Sequence, residues 1–190
     1  MQTSFKVILI LFISVYGICL ADNDQEFSAS EPVLITSAGQ SADILMVKIL
    51  AQKSALDFKL DKVATPEMVD SVKSVILVCG GSTKGLGAAK IDKEQEYERV
   101  KKLIDRAKSK KITMILVHVG GKSRRGALSD YFNQLVAENA NHMIVVQAGN
   151  EDGYFSEIAN KLGIGIDLPD KIAAVQKTLE KIYQKTKNEN

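Results

Sequence analysis

The sequence is poor in cysteine and histidine, with two residues of each type: Cys19, Cys79, His118 and His142. Cys19 lies in an N-terminal segment that we expect to be removed, so Cys79 alone remains and an internal disulfide is excluded. One thiol and two separated imidazoles are also too few for a metal cluster. We therefore expect no metal and no cofactor, and an ordinary hydrophobic core must stabilise the fold.

The sequence also has little net charge. The formal net charge is +2 at pH 7, and removal of Lys6 with the N-terminal segment brings it closer to zero. Proteins that bind nucleic acid use a strong excess of basic side chains to displace counterions from phosphates. The composition therefore predicts no nucleic-acid partner. The Gly-x-Ser-x-Gly elbow of many hydrolases and the Walker loop of nucleotide-binding proteins are absent as well.

Residues 1–21 have the pattern of a secretory signal peptide. Lys6 precedes an apolar run from Val7 to about Tyr16, and small residues follow up to Ala21. The run is too short to span a bilayer comfortably, because about 20 residues are needed. We expect cleavage after Ala21, export to a periplasm or to the cell exterior, and no integral membrane segment in the mature chain. An uncleaved membrane anchor and a lipoprotein cut before Cys19 are the alternatives.

The mature chain is predicted to be one domain behind a short tether. Residues 22–31 (DNDQEFSASE) are polar and lack a hydrophobic period, so they indicate a tether, and residues 32–188 form a single α/β domain. Strands and helices alternate along that domain. The predicted strands are VLIT (33–36), FKLDKVA (58–64), SVILVCG (74–80), ITMILVHVG (112–120) and HMIVVQAG (142–149). Helices are predicted over 42–55, after Pro66, and over 92–109, 127–139, 153–162 and 169–186.

The central strands indicate a parallel sheet. VILVC and MILVHV are continuous apolar runs, which are typical of strands covered by helices on both faces. Five such strands with right-handed crossover helices predict a three-layer, doubly wound domain with a mainly parallel sheet. The flavodoxin-like strand order 2-1-3-4-5 is the first choice.

A glycine motif follows the third strand, where VILVCGGSTKGLG contains Gly81-x-x-x-Gly85-x-Gly87. Its spacing is similar to that of short-chain dehydrogenases, whose Tyr-x-x-x-Lys also occurs at Tyr97 and Lys101. In that family the glycine turn follows the first strand and opens directly into a helix. Here a long loop, residues 80–91, is expected before a helix capped by Asp92 with Gln95. We therefore interpret the resemblance as spurious.

The same strand-end pattern occurs twice, as VILVCGGSTKG and as ILVHVGGKSRRG. Paired glycines allow unusual dihedrals and bring backbone N–H groups close to a ligand. The carboxyl ends of strands one, three, four and five share one edge, which is where such folds bind ligands. The candidate ligand-binding residues, joined there by Arg125, are Ser37, Gln40, Ser41, Gly80, Gly81, Ser82, Thr83, Lys84, Lys122, Ser123, Arg124 and Asn150.

The cations in this set indicate an anionic ligand. The turn TSAGQSAD (36–43) is of a kind that wraps a phosphate or carboxylate at a helix N-terminus. Simple helix capping by Ser37 or Ser41 is the alternative.

Cys79 and His118 resemble a nucleophile and a base in their chemistry, but their expected positions argue against a pair. If the two Gly-Gly pairs are level in the sheet, Cys79 lies beside Val119 and His118 beside Val78. Adjacent residues of a strand point to opposite faces. We therefore predict a buried structural thiol and a buried core histidine, and no catalytic residues.

Taken together, PVLITSAGQSADILMVKIL, SVILVCGGSTKGLG and GGKSRRG resemble a family of small exported bacterial α/β proteins described only as a domain of unknown function. The resemblance covers residues 32 to about 185 and implies the single-domain fold and the exported setting, without an activity. The leading hypothesis is a binding module for a small anionic ligand or a partner loop. An enzyme of the hydrolase or transferase kind, and a structural partner of an envelope complex, are the alternatives.

Overall fold

The computed structural model describes residues 26–187, with side chains up to residue 183. The predicted signal peptide and residues 22–25 of the predicted tether lie outside the described residues. The strands are Val33–Ala38 (β1), Phe58–Leu60 (β2), Ser74–Cys79 (β3), Thr113–His118 (β4), His142–Val145 (β5) and Gly165–Asp167 (β6). The α-helices are Asp43–Lys53 (α1), Thr83–Ala88 (α2), Lys93–Ser109 (α3), Ala127–Ala137 (α4), Tyr154–Leu162 (α5) and Val175–Lys187 (α6). Short 3-10 helices occupy Pro66–Ser71, Gly121–Arg124, Gln147–Gly149 and Ile172–Ala174.

The strands form one parallel sheet in the order β2-β1-β3-β4-β5-β6. The predicted doubly wound fold and the order 2-1-3-4-5 are confirmed. β6 is an addition at the outer edge, where Gly165 pairs with His142. This strand has three residues and no fully buried position, so it lacks the continuous apolar run that identifies the inner strands.

Helices cover both faces of the sheet and create two cores. Leu34, Leu77 and Leu116 point into the core beneath α3, α4 and α5. Their neighbours Ile35 and Ile76 point to the opposite face, beneath α1 and α6. Because alternate residues of each central strand are buried on opposite faces, the strands are apolar throughout, as the sequence pattern predicts.

The segment before β1 lies against the domain. Ala29 is buried, and its backbone N–H donates to the Ile182 carbonyl at 3.1 Å. The Phe27 ring stacks on the His142 ring with 4.4 Å between centroids and 7° between planes. The described part of the predicted tether, residues 26–31, thus contacts β5 through Phe27 and α6 through Ala29.

Two predicted helix boundaries are wrong. The predicted loop 80–91 contains α2, because the Ser82 side chain accepts a hydrogen bond from the Gly85 N–H and caps the helix, and Leu86 is buried beneath it. The last α-helix begins at Val175, after a 3-10 turn, rather than at residue 169. The predicted cap of α3 is confirmed, since Asp92 and Gln95 form a reciprocal capping box.

Candidate functional site

Three loops meet at the carboxyl edge of the sheet, after β1, β3 and β4. β1 and β3 end level, with Ala38 beside Cys79. Beyond them the loops continue to pair: Gln40 and Gly81 form an isolated antiparallel bridge, and the Ser82 N–H donates to the Gly39 carbonyl at 2.9 Å. The point where the strand order reverses, between β1 and β3, is therefore closed by bonds between loops.

A cleft of about 530 Å³ opens beside these loops, within the size range of small-molecule sites. The loop after β1, the chain after β2, α2 and one side chain from the loop after β4 form its walls. Its lining residues are Gln40, Ser41, Ala42, Lys62, Val63, Ser82, Lys84, Gly85, Ala88, Ala89 and Arg124.

Five of the predicted ligand-binding residues line this cleft, namely Gln40, Ser41, Ser82, Lys84 and Arg124. Gly80 and Gly81 belong to the loop beneath it. A Cβ at Gly80 would lie 3.2 Å from the Ser41 Cβ and 3.4 Å from the Arg124 Cδ. The remaining predicted residues are not among the lining residues: Ser37, Thr83, Lys122, Ser123, Asn150 and Arg125.

Ser37 and Asn150 have structural surroundings. Ser37 is fully buried within β1. The Asn150 Oδ1 accepts the backbone N–H of Phe155 at 2.8 Å, and its Nδ2 donates to the Ser156 Oγ at 2.6 Å. Asn150 therefore holds the start of α5.

Three further predicted residues, two in the loop after β4 and one at the start of α2, either form local bonds or are exposed to solvent. Lys122 pairs with Glu151 at 3.0 Å on the surface, and the Ser123 hydroxyl donates to the Gly120 carbonyl at 2.8 Å. Thr83 is exposed at the start of α2. None of these three side chains faces the cleft, so the predicted site is narrower than the set of loop residues.

Arg125 is enclosed by acidic and aromatic groups. Its guanidinium donates to Asp130 and Asp152, both at 2.8 Å, and lies 4.4 Å from the centroid of the Tyr154 ring. Burial alone would lower the pKa of Arg125, but hydrogen bonds with Asp152 and Asp130 outweigh it and raise this pKa. Arg124 is consequently the arginine that faces the cleft, while Arg125 anchors the loop.

Three backbone N–H groups of the loops after β1 and β3 are already used inside the protein. Gly39 donates to the Glu96 Oε1 at 3.0 Å, Gly80 to the Ala38 carbonyl at 3.0 Å and Gly81 to the Ser129 Oγ at 3.1 Å. For the pair Gly80-Gly81, the expectation that paired glycines present their N–H groups to a ligand is therefore wrong.

Glycine is needed in these loops because chains approach closely. A Cβ at Gly85 would lie 1.8 Å from the Gln40 carbonyl oxygen, and one at Gly120 would lie 2.0 Å from the Arg124 Cγ. Both distances are far below van der Waals contact. Glycine thus lets α2 sit against the loop after β1 and makes room for the Arg124 stem.

The two serines at the cleft also serve the backbone. The Ser41 Oγ accepts the Asp43 N–H at 3.1 Å, and the Ser82 Oγ accepts the Gly85 N–H at 3.0 Å. The capping interpretation therefore describes their acceptor role. Each hydroxyl still has a proton that it can donate to an acceptor in the cleft.

A buried ion pair that the sequence pattern does not predict supports the loop after β1. Glu96 is completely buried in α3, and its Oε1 accepts bonds from the Gly39 N–H and the Gln40 Nε2, both at 3.0 Å. Arg99 donates to the Glu96 Oε2 at 2.8 Å and to the Ala64 carbonyl at 2.9 Å. The helical spacing of Glu96 could have indicated its burial, because it lies four residues before Val100 and therefore on the same buried face of α3.

The cleft carries uncompensated positive charge. Among the described residues, neither Lys62 nor Lys84 forms an ion pair, and no carboxylate lines the cleft. Arg124 has one ionic partner, since its Nε lies 3.2 Å from the Asp43 Oδ2. Lys62, which was not predicted, enters the site because β2 ends at Leu60 instead of residue 64.

Cys79 and His118 lie on the same face of the sheet, so the predicted opposite placement is wrong. Val78 pairs with Val117, which places Cys79 level with His118. The two Gly-Gly pairs are offset by one residue, because Val119 separates β4 from its glycines whereas Gly80 directly follows β3.

Both side chains are nevertheless buried, as predicted, and neither lines the cleft. Burial raises the pKa of the Cys79 thiol and lowers that of His118. The His118 Nε2 lies 3.2 Å from the Gly121 carbonyl oxygen. The second histidine, His142, contacts Asp167 through its Nε2 at 2.8 Å, at the outer end of the sheet.

Among the residues that the structure describes, no cluster of histidine, cysteine and carboxylate side chains is arranged to hold a metal ion. Within residues 26–187, no helix has both the length and the apolar composition that crossing a membrane requires.

The backbone is similar to solved esterase structures at low identity. The esterase EstA from Pseudoalteromonas sp. is 13% identical, with 85% of this chain and 98% of that chain covered and a TM-score of 0.37. A GDSL-like lipase from Bacteroides thetaiotaomicron is 11% identical, with coverages of 70% and 65% and a TM-score of 0.33. AlinE4, an SGNH-hydrolase family esterase, is 10% identical, with coverages of 73% and 75% and a TM-score of 0.30. Such weak overall similarity says nothing about the activity of this chain.

No curated protein matches the sequence. A family model does match it, over residues 30–183, which is most of the chain. The resemblance to an uncharacterised family is thereby confirmed, and the chain belongs to the family described as a domain of unknown function, DUF6305.

Proposed function

We propose that this protein is an exported binding module that holds a small anionic ligand in the cleft at the carboxyl edge of its sheet. The observation that carries the proposal is the charge of the cleft: Lys62, Lys84 and Arg124 line it, and no described carboxylate does. Charged groups on a surface are normally solvated on all sides, whereas these three surround one concave space. An anion there would bind several cations at once.

The neighbouring carboxylates favour binding over catalysis. An enzyme acting through Ser41 or Ser82 needs a positioned acid or base within hydrogen-bond reach. The Asp43 carboxylate instead binds Arg124, and Asp130 and Asp152 bind Arg125. Neither His118 nor His142 is among the lining residues. A hydrolase or transferase using these loops remains the alternative that the experiments below test.

A third hypothesis, a structural partner of an envelope complex, has its own surface. Leu45, Met46 and Ile49 of α1 are 47%, 42% and 45% exposed. If this apolar strip were the functional surface, polar substitutions there would abolish function while the cleft variants below would not.

The proposal is tested by screening and then by mutation. Thermal-shift screening of the purified protein against organic acids, nucleotides and inorganic anions identifies a ligand, because saturation at 100 times Kd adds about 2.7 kcal/mol to stability. Calorimetry with that ligand is then repeated on Arg124→Ala and Lys84→Ala. Loss of one charge-assisted bond, about 1.5–3 kcal/mol, predicts a roughly ten- to hundredfold loss of affinity at each position.

Arg106→Ala is the matched control. Arg106 also forms an arginine–aspartate pair, with Asp70, and its Nε lies 2.8 Å from the Asp70 Oδ1 near the opposite edge of the sheet. Its removal leaves ligand affinity unchanged. Equal effects of all three substitutions on ligand affinity would locate the site elsewhere, and turnover of the ligand would favour the enzyme.

Mass spectrometry of the exported protein tests the proposed export, and we expect an N-terminus at Asp22.

A further inference from the structure

We infer that the cleft takes an organic carboxylate with an apolar body, rather than a phosphate or a nucleotide. This inference rests on the proposed function and specifies its ligand. Three features of the cleft carry it: the free edge of Arg124, the occupied backbone N–H groups and the apolar lining residues.

The free edge of Arg124 suits a carboxylate. Its Nε is bound to Asp43, whereas within the described residues neither terminal nitrogen has a hydrogen-bond partner. The two terminal groups donate in one plane, which matches the two oxygens of a carboxylate. Asp43 fixes the orientation of the guanidinium from the other side, so the binding edge is held in place before a ligand arrives.

Five backbone N–H groups beside the cleft are not free to bind a phosphate. Phosphate sites surround several oxygens with consecutive free N–H groups of a glycine-rich loop or a helix N-terminus. Here the N–H groups of Gly39, Gly80 and Gly81 donate to Glu96, Ala38 and Ser129. Ser82 and Gly85 also donate within the loops, to the Gly39 carbonyl and the Ser82 Oγ. A phosphate would therefore lack these five N–H groups as donors.

Four of the residues that line the cleft are apolar. Ala42, Val63, Ala88 and Ala89 contribute methyl groups to its lining, and Val63 is 42% exposed. Because Val63 is exposed in a cleft that also holds three cations, the cleft suits a ligand with an anionic head and an apolar body. The carboxylate binds to Arg124 and the lysines, and the apolar body covers Val63 and the alanines.

The test is calorimetry of the purified protein with acetate, butyrate, hexanoate and octanoate, compared with inorganic phosphate, AMP and hexyl phosphate. Burial of one methylene is worth about 0.8 kcal/mol, so Kd should fall about fourfold for each added CH₂ until the cleft is filled. Hexanoate should bind more tightly than hexyl phosphate. Octylammonium, which has an apolar body but a positive head, should not bind.

Two variants separate the head from the body. Ala88→Leu fills space beside the apolar lining residues and should weaken octanoate at least tenfold while leaving acetate unchanged. Ala127→Leu, an exposed alanine at the start of α4 outside the lining, is its control. Arg124→Ala should weaken every carboxylate by a similar factor.

The outcomes distinguish this inference from the proposed function. If phosphate or AMP binds more tightly than hexanoate, or if chain length has no effect while Arg124→Ala still weakens binding, the inference is wrong and the proposed function stands. If no probe binds, or if Arg124→Ala weakens none of them, both are wrong.

Discussion

The Nε of Arg124 lies 3.2 Å from the Oδ2 of Asp43, and this bond ties the loop after β4 to the first turn of α1. It passes over Gly80 and beside Gly120. A Cβ at Gly120 would lie 2.6 Å from the same Asp43 oxygen, and one at Gly80 would lie 3.5 Å from it. Gly120 thus leaves space for the ion pair, whereas a Cβ at Gly80 would make ordinary van der Waals contact with it, and Gly80 is favoured instead by its φ of 155°.

Two glycines of α2 should respond to alanine in opposite directions. Gly85→Ala places a methyl group 1.8 Å from the Gln40 carbonyl oxygen, so α2 or the loop after β1 must move. We expect a loss of about 1–3 kcal/mol in the free energy of unfolding. Gly87→Ala meets no atom within 4 Å and should add about 0.4–1 kcal/mol. Urea unfolding of both variants measures the two effects, and stabilisation by both would mean that α2 is not packed tightly against the loop after β1.

The buried carboxylate of Glu96 should be among the most sensitive positions of α3. Glu96→Ala leaves the Arg99 guanidinium without its ionic partner and the Gly39 N–H without its acceptor. Breaking a buried pair by removing one partner costs about 3–5 kcal/mol. Glu94→Ala, two residues earlier at a position whose side chain is 69% exposed, should stay within about 0.5 kcal/mol. Urea midpoints that fall equally for both would show that the Glu96 network adds no stability.

The fold was predictable because its signals are local, whereas the missing parts depend on contacts between distant segments. Runs such as VILVC and MILVHV report burial on both faces without knowledge of any neighbour. α2 was missed because two glycines in six residues disfavour a helix, and a Ser82 cap with a buried Leu86 overrides that preference. The one-residue offset between β3 and β4 is a property of the pair, so neither strand alone could reveal it.

The candidate site was also predictable where it depends on strand position, and not where it depends on contacts between distant segments. Strand-end loops on one edge were identified, and Gln40, Ser41, Ser82, Lys84 and Arg124 followed from that rule. Which of two adjacent arginines faces the cleft depends on Asp130 and Asp152, which lie five and 27 residues beyond Arg125. Lys62 and Val63 were hidden because the edge strand ends early.

Cys79 should be structural, and two substitutions test this. Cys79→Ser places a hydroxyl in an apolar strand, which costs about 1–3 kcal/mol when the hydroxyl lacks a good partner. Cys79→Ala removes the thiol without adding a polar group, so it should be less destabilising than serine. Neither variant should change anion affinity. Loss of binding with unchanged unfolding in both variants would give the thiol a functional role.

Stability should fall as the pH is lowered through the range where histidine takes up a proton. Burial lowers the pKa of His118 in the folded protein, whereas an unfolded histidine titrates near 6.5. Below about pH 6.5 the unfolded chain therefore binds more protons, and the free energy of unfolding decreases as the pH falls. Above about pH 6.5, His118 makes its full contribution to the free energy of unfolding.

The measurement is urea unfolding between about pH 7.5 and pH 5, for the native sequence and for His118→Gln. This range stays above the titration of Asp130 and Asp152, whose pKa values are lowered by hydrogen bonds with Arg125, against the opposing effect of burial at Asp130. The substituted protein should show the weaker pH dependence. An identical slope in both proteins would mean that His118 exchanges protons freely in the folded state.

Gln40 adopts a φ of 57°, in the left-handed region that residues other than glycine seldom occupy. Its side-chain amide donates to the Glu96 carboxylate at 3.0 Å and to the Lys62 carbonyl at 2.9 Å, so bonds within the protein hold this loop without the help of a ligand. The conformational entropy of this loop is therefore lost when the protein folds and is not lost again when a ligand binds. The ligand that we propose would therefore meet a loop already in place, and its affinity would include little cost for ordering that loop.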